Sequence, residues 1–343
     1  MNMIRATAIA VLAVMLVACS GGGATTAPTT SPTSAATATA APTATTAPTE
    51  APTEEPTTAP TEEPTSSPSE APTGSPAAGP VCENLPEGSE GDLLATICER
   101  GTILVSTDPN YAPQSFLNPD GTFEGFDIDT ANEIGARLGV EVQFETPSFD
   151  AVVAGSWSDR WDISVGSVTI TEEREEILDF TQAYYYTPAQ IAVTTDSGIT
   201  SIDALAGQPI CVGSSTTYQY WLDGTLNLVG SPEPTPPPAG ATAFPLGTDQ
   251  DCAQSVQSGR SDFEAWLSSS TTIQAAIDAD TPMVAVGDPV FFEALAVATD
   301  KSNADHDALQ TALDEIIAAM HADGTLSASS MEWFDGLDLT VTE

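Results

Sequence analysis

Two hydrophobic periods take turns along residues 102–334, and their alternation predicts a chain of strands and helices. Thr102–Ser106 reads as a β-branched, apolar strand. Behind Asp127, taken as the cap, Ile128, Ala131, Ile134 and Leu138 recur on one face and predict a helix. A strand is predicted at Val140–Phe144, a helix from about Phe149, a strand at Trp161–Val165 and a short helix capped by Thr171. Ala189–Thr194 forms an apolar strand. The pattern then repeats, with helices near 201–206, 216–222, 249–258 and 269–278. Strands are predicted between them at 209–212, 242–246, 262–266 and 283–286, and a loop at 231–238 reads SPEPTPPP. Glu293–Thr299 is a further apolar strand, and helices near 306–321 and 326–334 close the chain. Such alternation predicts an α/β protein with mostly parallel sheets.

The first 80 residues do not share this pattern. In residues 1–19, Arg5 precedes a continuous apolar run from Ala6 to Ala18. That run is shorter than the roughly 20 residues a membrane helix needs, and it reads as a secretory signal. It ends LVAC, followed by Ser20 and three glycines, and so resembles the lipobox in which Cys19 is lipidated. The mature chain is then expected outside the cytoplasm, held by acyl chains at the outer face of the membrane. Residues 20–80 contain no aromatic residue and no Lys, Arg, Val, Ile or Leu. Their prolines fall every fourth residue from Pro48 to Pro80. With no hydrophobic face to offset the ordering entropy, the segment reads as a disordered, Thr/Pro-rich linker.

Charge narrows the function. The 343-residue chain, long enough for about two domains, carries 49 Asp+Glu against 7 Lys+Arg, a formal net charge of −42. Nucleic acid is excluded as a partner, because phosphate binding needs clustered Lys and Arg. Beyond the linker the bases are Arg100, Arg137, Arg160, Arg174, Arg260 and Lys301. An anionic ligand must use one of them or backbone N–H groups. Four cysteines remain after Cys19, and the two local pairings, Cys82–Cys98 and Cys211–Cys252, are favoured among three. No CxxC or His-containing ligand spacing is present, so no zinc site is expected, and no cofactor is called for. His306 and His321 are placed on a solvent-exposed helix with no functional role.

Several ordered stretches carry a family resemblance. They are GTILVSTDPNYAP at 101–113, GFDID at 125–129, WDISVGSVTITEER at 161–174, DFTQAYY at 179–185, SGRSD at 258–262, and DGT at 323–325 followed by Trp333 and Phe334. From about Cys98 to Leu337 the chain resembles the polar-amino-acid-binding solute receptors of ABC importers, of the glutamine-, histidine- and lysine/arginine/ornithine-binding type. The resemblance implies a two-lobe, type II periplasmic-binding-protein-like fold with two crossover strands. Lobe one is expected at 81–189 plus 294–343 and lobe two at 190–293. It also implies a binding protein rather than an enzyme, a monomer, and permease transmembrane subunits as partners. Ligand contacts from both lobes exist only when the lobes are closed, so ligand shifts that population. A dehydratase-like enzyme on the same fold, or a surface protein that binds a ligand without transport, are the alternatives.

Arg174 is the central candidate. A cation in the first turn of a helix opposes the macrodipole, so helix stability does not explain it. A carboxylate before it would meet the guanidinium and the helix N-terminus together. The alternative is a local pair with Glu172, Glu173 or Glu175. Gly166, Ser167 and Thr169 offer N–H and hydroxyl groups. By resemblance, Tyr111 and Phe149 stack on the ligand's aliphatic part, and Asp108 matches an acid that faces cationic side chains. Ser215 and Thr216 match donors at a helix start, although Ser214 stands where the family has glycine. Trp266 would add a wall. In the family an acid after the Gly-Arg-x-Asp strand pairs the ligand's ammonium; counting from Asp262 places Leu267 there, which puts a standard α-amino acid in question.

Overall fold

The computed structural model describes residues 79–260, 262–303 and 305–341. The expected signal segment, Cys19 and nearly all of the linker lie outside them. In chain order the elements begin with α1 (Leu93–Arg100), β1 (Thr102–Ser106), β2 (Asn110–Tyr111), β3 (Ser115–Leu117), β4 (Phe123–Glu124) and α2 (Phe126–Leu138). There follow β5 (Glu141–Glu145), α3 (Phe149–Val153), β6 (Ile163–Thr169), α4 (Glu172–Glu175), β7 (Leu178–Phe180) and β8 (Tyr185–Thr194). The second half runs through β9 (Pro209–Gly213), α5 (Thr217–Asp223), β10 (Thr242–Leu246), α6 (Asp249–Gln257), β11 (Ala265–Ser269) and α7 (Ser270–Asp278). It closes with β12 (Met283–Asp300), α8 (Asp307–Ala322) and α9 (Thr325–Trp333).

One sheet runs β10-β9-β11-β8-β12-β6-β1-β5, with β7 also on β12, and a small sheet joins β2, β3 and β4. On one flank β1 pairs in parallel with β5 and β6; on the other β9 pairs in parallel with β10 and β11. The centre is antiparallel, because β8 and β12 lie side by side and carry the chain out and back. The parallel expectation therefore holds only on the flanks. The two strands expected at 283–286 and 293–299 are one strand, β12, with a register shift between Val286 and Phe291 against β8. Gly287, at φ +69°, turns the chain within that irregular stretch.

Apolar clusters flank each half. Leu94, Ile103, Phe126, Ile134 and Leu313 lie in the core between the first-half sheet and α1, α2 and α8. Ile191, Ile210, Trp221 and Leu267 lie on one side of the second-half sheet, and Cys211, Phe263 and Trp266 on the other. Both favoured disulfides are present. Cys82–Cys98 ties the leading turn to α1, and Cys211–Cys252 ties β9 to α6.

Two local expectations are corrected. Asp127 does not cap α2; Gly125 holds that position at φ 127°, and Asp127 lies fully buried in the first turn. A side chain at Gly125 would collide with the Gln114 carbonyl at 2.3 Å, so the chain enters α2 through glycine. The histidines are not solvent-exposed either. His306 caps α8 with its Nε2 3.1 Å from Asp179 Oδ2, and His321 Nε2 lies 2.9 Å from the Ala183 carbonyl.

Candidate ligand-binding site

A cavity opens between the two halves of the sheet, at the ends of β1, β6 and β9. Among the residues singled out from sequence, Asp108, Tyr111, Phe149, Gly166, Ser167, Thr169, Arg174 and Thr216 line it. Strand β6 brings Gly166, Ser167 and Thr169 there because every residue along it is buried and it sits between β1 and β12. Ser167 adopts φ +56°, uncommon for a non-glycine residue, and this turns its side chain into a buried network. Its N–H donates to Tyr184 Oη at 3.2 Å and its hydroxyl donates to Asp127 Oδ2 at 2.7 Å. Tyr184 donates to Asp127 Oδ1 at 2.6 Å. Burial pushes the Asp127 carboxyl up to about 7 despite both hydroxyl donors.

Arg174 is 3% exposed and is held from two directions. Its Nη1 donates to the Thr169 carbonyl at 2.8 Å and its Nη2 to the Ser215 carbonyl, in the other half, at 3.1 Å. The guanidinium lies 5.3 Å from the Phe149 ring centre and 5.9 Å from that of Tyr220. No local pair with Glu172, Glu173 or Glu175 forms; Glu173 instead accepts from Asn227. The other bases are occupied elsewhere: Arg100 on Asp162, Arg137 on Glu133 and Asp323, Arg260 on Asp262, Lys301 near Asp179, and Arg160 over Trp161. Arg174 Nε is buried with no hydrogen-bond partner. Leaving a charged donor in that state is costly, and a ligand oxygen in the cavity would satisfy it.

Two acids that sequence reasoning missed also line the cavity. Glu293 of β12 is 2% exposed and accepts hydrogen bonds from Thr169 (2.7 Å), Thr217 and Tyr218 (2.7 Å). Burial raises its pKa, and the three hydroxyls and the Arg174 charge oppose the rise. Its signal was a lone acid inside the apolar run FFEALAV. Asp249 opens α6 and is 6% exposed; it accepts from Gly213 N at 3.3 Å, and burial pushes its carboxyl up to about 7. An acid in the first turn of a helix is so common that nothing in the sequence set it apart.

The halves are drawn together around this cavity. Tyr111 Oη lies 3.2 Å from Tyr218 Oη, Asn110 Nδ2 donates to Thr248, and Ser214 donates to Asp150. Ser215 adopts φ +58° and contributes its carbonyl to Arg174, while Thr216 caps α5 by accepting from Gln219 N. Glycine stands at 213 rather than 214, and a side chain there would sit 3.0 Å from Asp249 Oδ2, so the close approach survives the Ser214 departure. Trp266 is placed elsewhere: it is fully buried in the second-half core with Cys211 and Phe263. Leu267 is also core, paired with Ile191 on β8, so the counted position does not face the cavity. The carboxylates come from Asp108, Asp249 and Glu293 instead.

Residues 103–336 match the model of the bacterial extracellular solute-binding proteins, family 3. The chain belongs to that family. Among its relatives, the L-cystine-binding protein TcyJ of Escherichia coli K12 is 30% identical over 250 residues, covering 72% of this chain and 88% of the relative. A probable amino-acid ABC transporter-binding protein of Haemophilus influenzae is 26% identical over 260 residues, covering 73% and 91%. Among solved structures, an ancestral arginine-binding protein bound to glutamine is 26% identical with a TM-score of 0.59, covering 68% of this chain and 98% of its own. The ancestral amino acid-binding protein AncCDT-1, a precursor of cyclohexadienyl dehydratase, is 28% identical with a TM-score of 0.59, covering 70% and 99%. These likenesses show the type II periplasmic-binding-protein fold.

Proposed function

We propose that this family 3 protein is the amino-acid receptor of an ABC importer. It captures its ligand between two lobes, which we place at 81–189 plus 294–343 and at 190–293, and delivers it to permease subunits. The observation that carries this reading is Arg174. It is the buried, cavity-lining base whose Nε lacks a partner, and its Nη atoms are held by backbone carbonyls from both halves. A bidentate carboxylate satisfies such a guanidinium better than water does. Relatives named for cystine and amino-acid binding support the same ligand class. In this reading Cys19 carries the lipid anchor, the linker gives reach above the membrane, and the protein acts as a monomer and catalyses no reaction. Among the described residues no helix is long and apolar enough to cross a membrane.

Calorimetric titration with single amino acids and with amine-free carboxylates tests the proposal. An amino acid is expected to bind the wild type, and Arg174→Ala to weaken it by about 100-fold or more, the scale of a lost charge-assisted bidentate contact. Binding that survives Arg174→Ala unchanged, or binding only of amine-free acids, overturns the site or the ligand class respectively.

A further inference from the structure

Resting on the receptor reading above, we propose that the site selects amino acids with a cationic side chain, and that Asp249 is the specificity-determining residue. Three carboxylates and one cation line the cavity. Glu293 is provided for, with three hydroxyl donors and the favourable field of Arg174. Asp108 and Asp249 are not. They come from opposite halves, the one after β1 and the other at the start of α6. Asp108 accepts from its neighbour Asn110 N at 2.8 Å, and Asp249 from Gly213 N at 3.3 Å. The Trp266 indole makes no ordinary hydrogen bond, although it lies near enough to favour the Asp249 anion. Neither acid has an ion-pair partner, because the other bases are engaged elsewhere.

Closing the halves therefore brings two carboxyls into one poorly hydrated space, where burial resists the ionisation of both and Asp108 further disfavours the Asp249 anion. The unpartnered Arg174 Nε in the same cavity fixes where the ligand's carboxylate goes. With the carboxylate there, one α-ammonium can answer only one of the two free acids. A guanidinium or ammonium on the side chain answers the other. A zwitterion leaves the charge of the site unchanged, whereas a ligand of net charge +1 reduces the excess.

The test compares arginine with its neutral isostere citrulline, and with cystine, by calorimetry on the wild type and on Asp249→Asn, with melting curves to establish that the variant is folded. Arginine is expected to bind the wild type at least about 10-fold tighter than citrulline, as one charge-assisted contact implies. Asp249→Asn should cut that ratio about 10-fold, by weakening arginine more than citrulline. If the variant does not fold, the wild-type ratio decides alone. Citrulline or cystine binding as tightly as arginine, or a ratio that Asp249→Asn leaves intact, overturns the cation assignment and leaves the receptor standing. If no amino acid binds, both readings fall.

Discussion

Trp266 shows how a residue beside a site can serve mainly as core behind it. Its ring is fully buried among Cys211, Ala253 and Phe263, and it does not line the cavity, whereas Asp249 does. What it does for the site is indirect: it fills the space behind α6, whose first residue is Asp249. Trp266→Phe removes ring volume and an indole N–H that has no hydrogen-bond partner. The expected cost is about 1–3 kcal/mol of stability, as for other large-to-smaller core changes, with ligand affinity unchanged within about 3-fold. Paired denaturant melts and titrations check this, and a collapse of affinity in a stable variant would return Trp266 to the site. Leu267 follows the same logic, since its side chain packs with Ile191 and Val193.

At the scale of elements, the end of β11 joins the halves as firmly as the pocket does. Gln114, fully buried after the short strand β2, donates to Ser269 Oγ at 3.0 Å and Thr271 Oγ1 at 2.7 Å. It also accepts from Thr272 Oγ1 at 3.0 Å. These three hydrogen bonds cross from one half to the start of α7 without touching the cavity. Gln114→Ala is therefore expected to weaken ligand binding about 10-fold by making the closed form less favourable. The ligand-free protein should show a larger radius of gyration by small-angle scattering. Unchanged affinity and radius would mean that closure does not depend on this contact. Sequence reached most elements because strand and helix periods alternate plainly; a cation in a first helical turn drew attention to Arg174 but left a local ion pair equally open, and the family resemblance favoured the ligand. It did not reach Gln114, Asp249 or the Ser167–Asp127–Tyr184 network. Their partners lie 17 to 158 residues away in the chain, and nothing local marks an Asn, Gln or Asp as bonded across a fold. Asp127 was misread for the same reason: its position before an apolar face is that of a cap, and only the contact with β6 shows that its carboxyl turns inward.

The whole molecule carries its acids in two populations, and they answer pH differently. Among the described residues most acids lie at or near the surface, and a few are buried. Asp127 and Asp249 are buried, with their carboxyls pushed up to about 7, and Asp108 and Glu293 are shifted in the same direction. In the unfolded chain all of them return to about 4. The folded protein therefore holds these protons over a range in which the unfolded chain has released them. Their contribution to stability is complete below about pH 4 and is lost as pH rises through about 7. The part of any stability change between pH 5 and 8 that the two buried carboxyls cause is the part that substituting them removes. The ligand-free protein is expected to melt at a higher temperature at pH 5 than at pH 8, with a difference on the order of 2–4 kcal/mol. Asp127→Asn and Asp249→Asn together should flatten the dependence, because an amide keeps the shape and does not titrate. A wild-type melting temperature that is level from pH 5 to 8, or a slope that the double substitution leaves in place, would show that these carboxyls are ionised in the folded protein. A bound cation replaces the proton at Asp249, so saturating arginine should flatten part of the same slope in the wild type and none of it in Asp249→Asn.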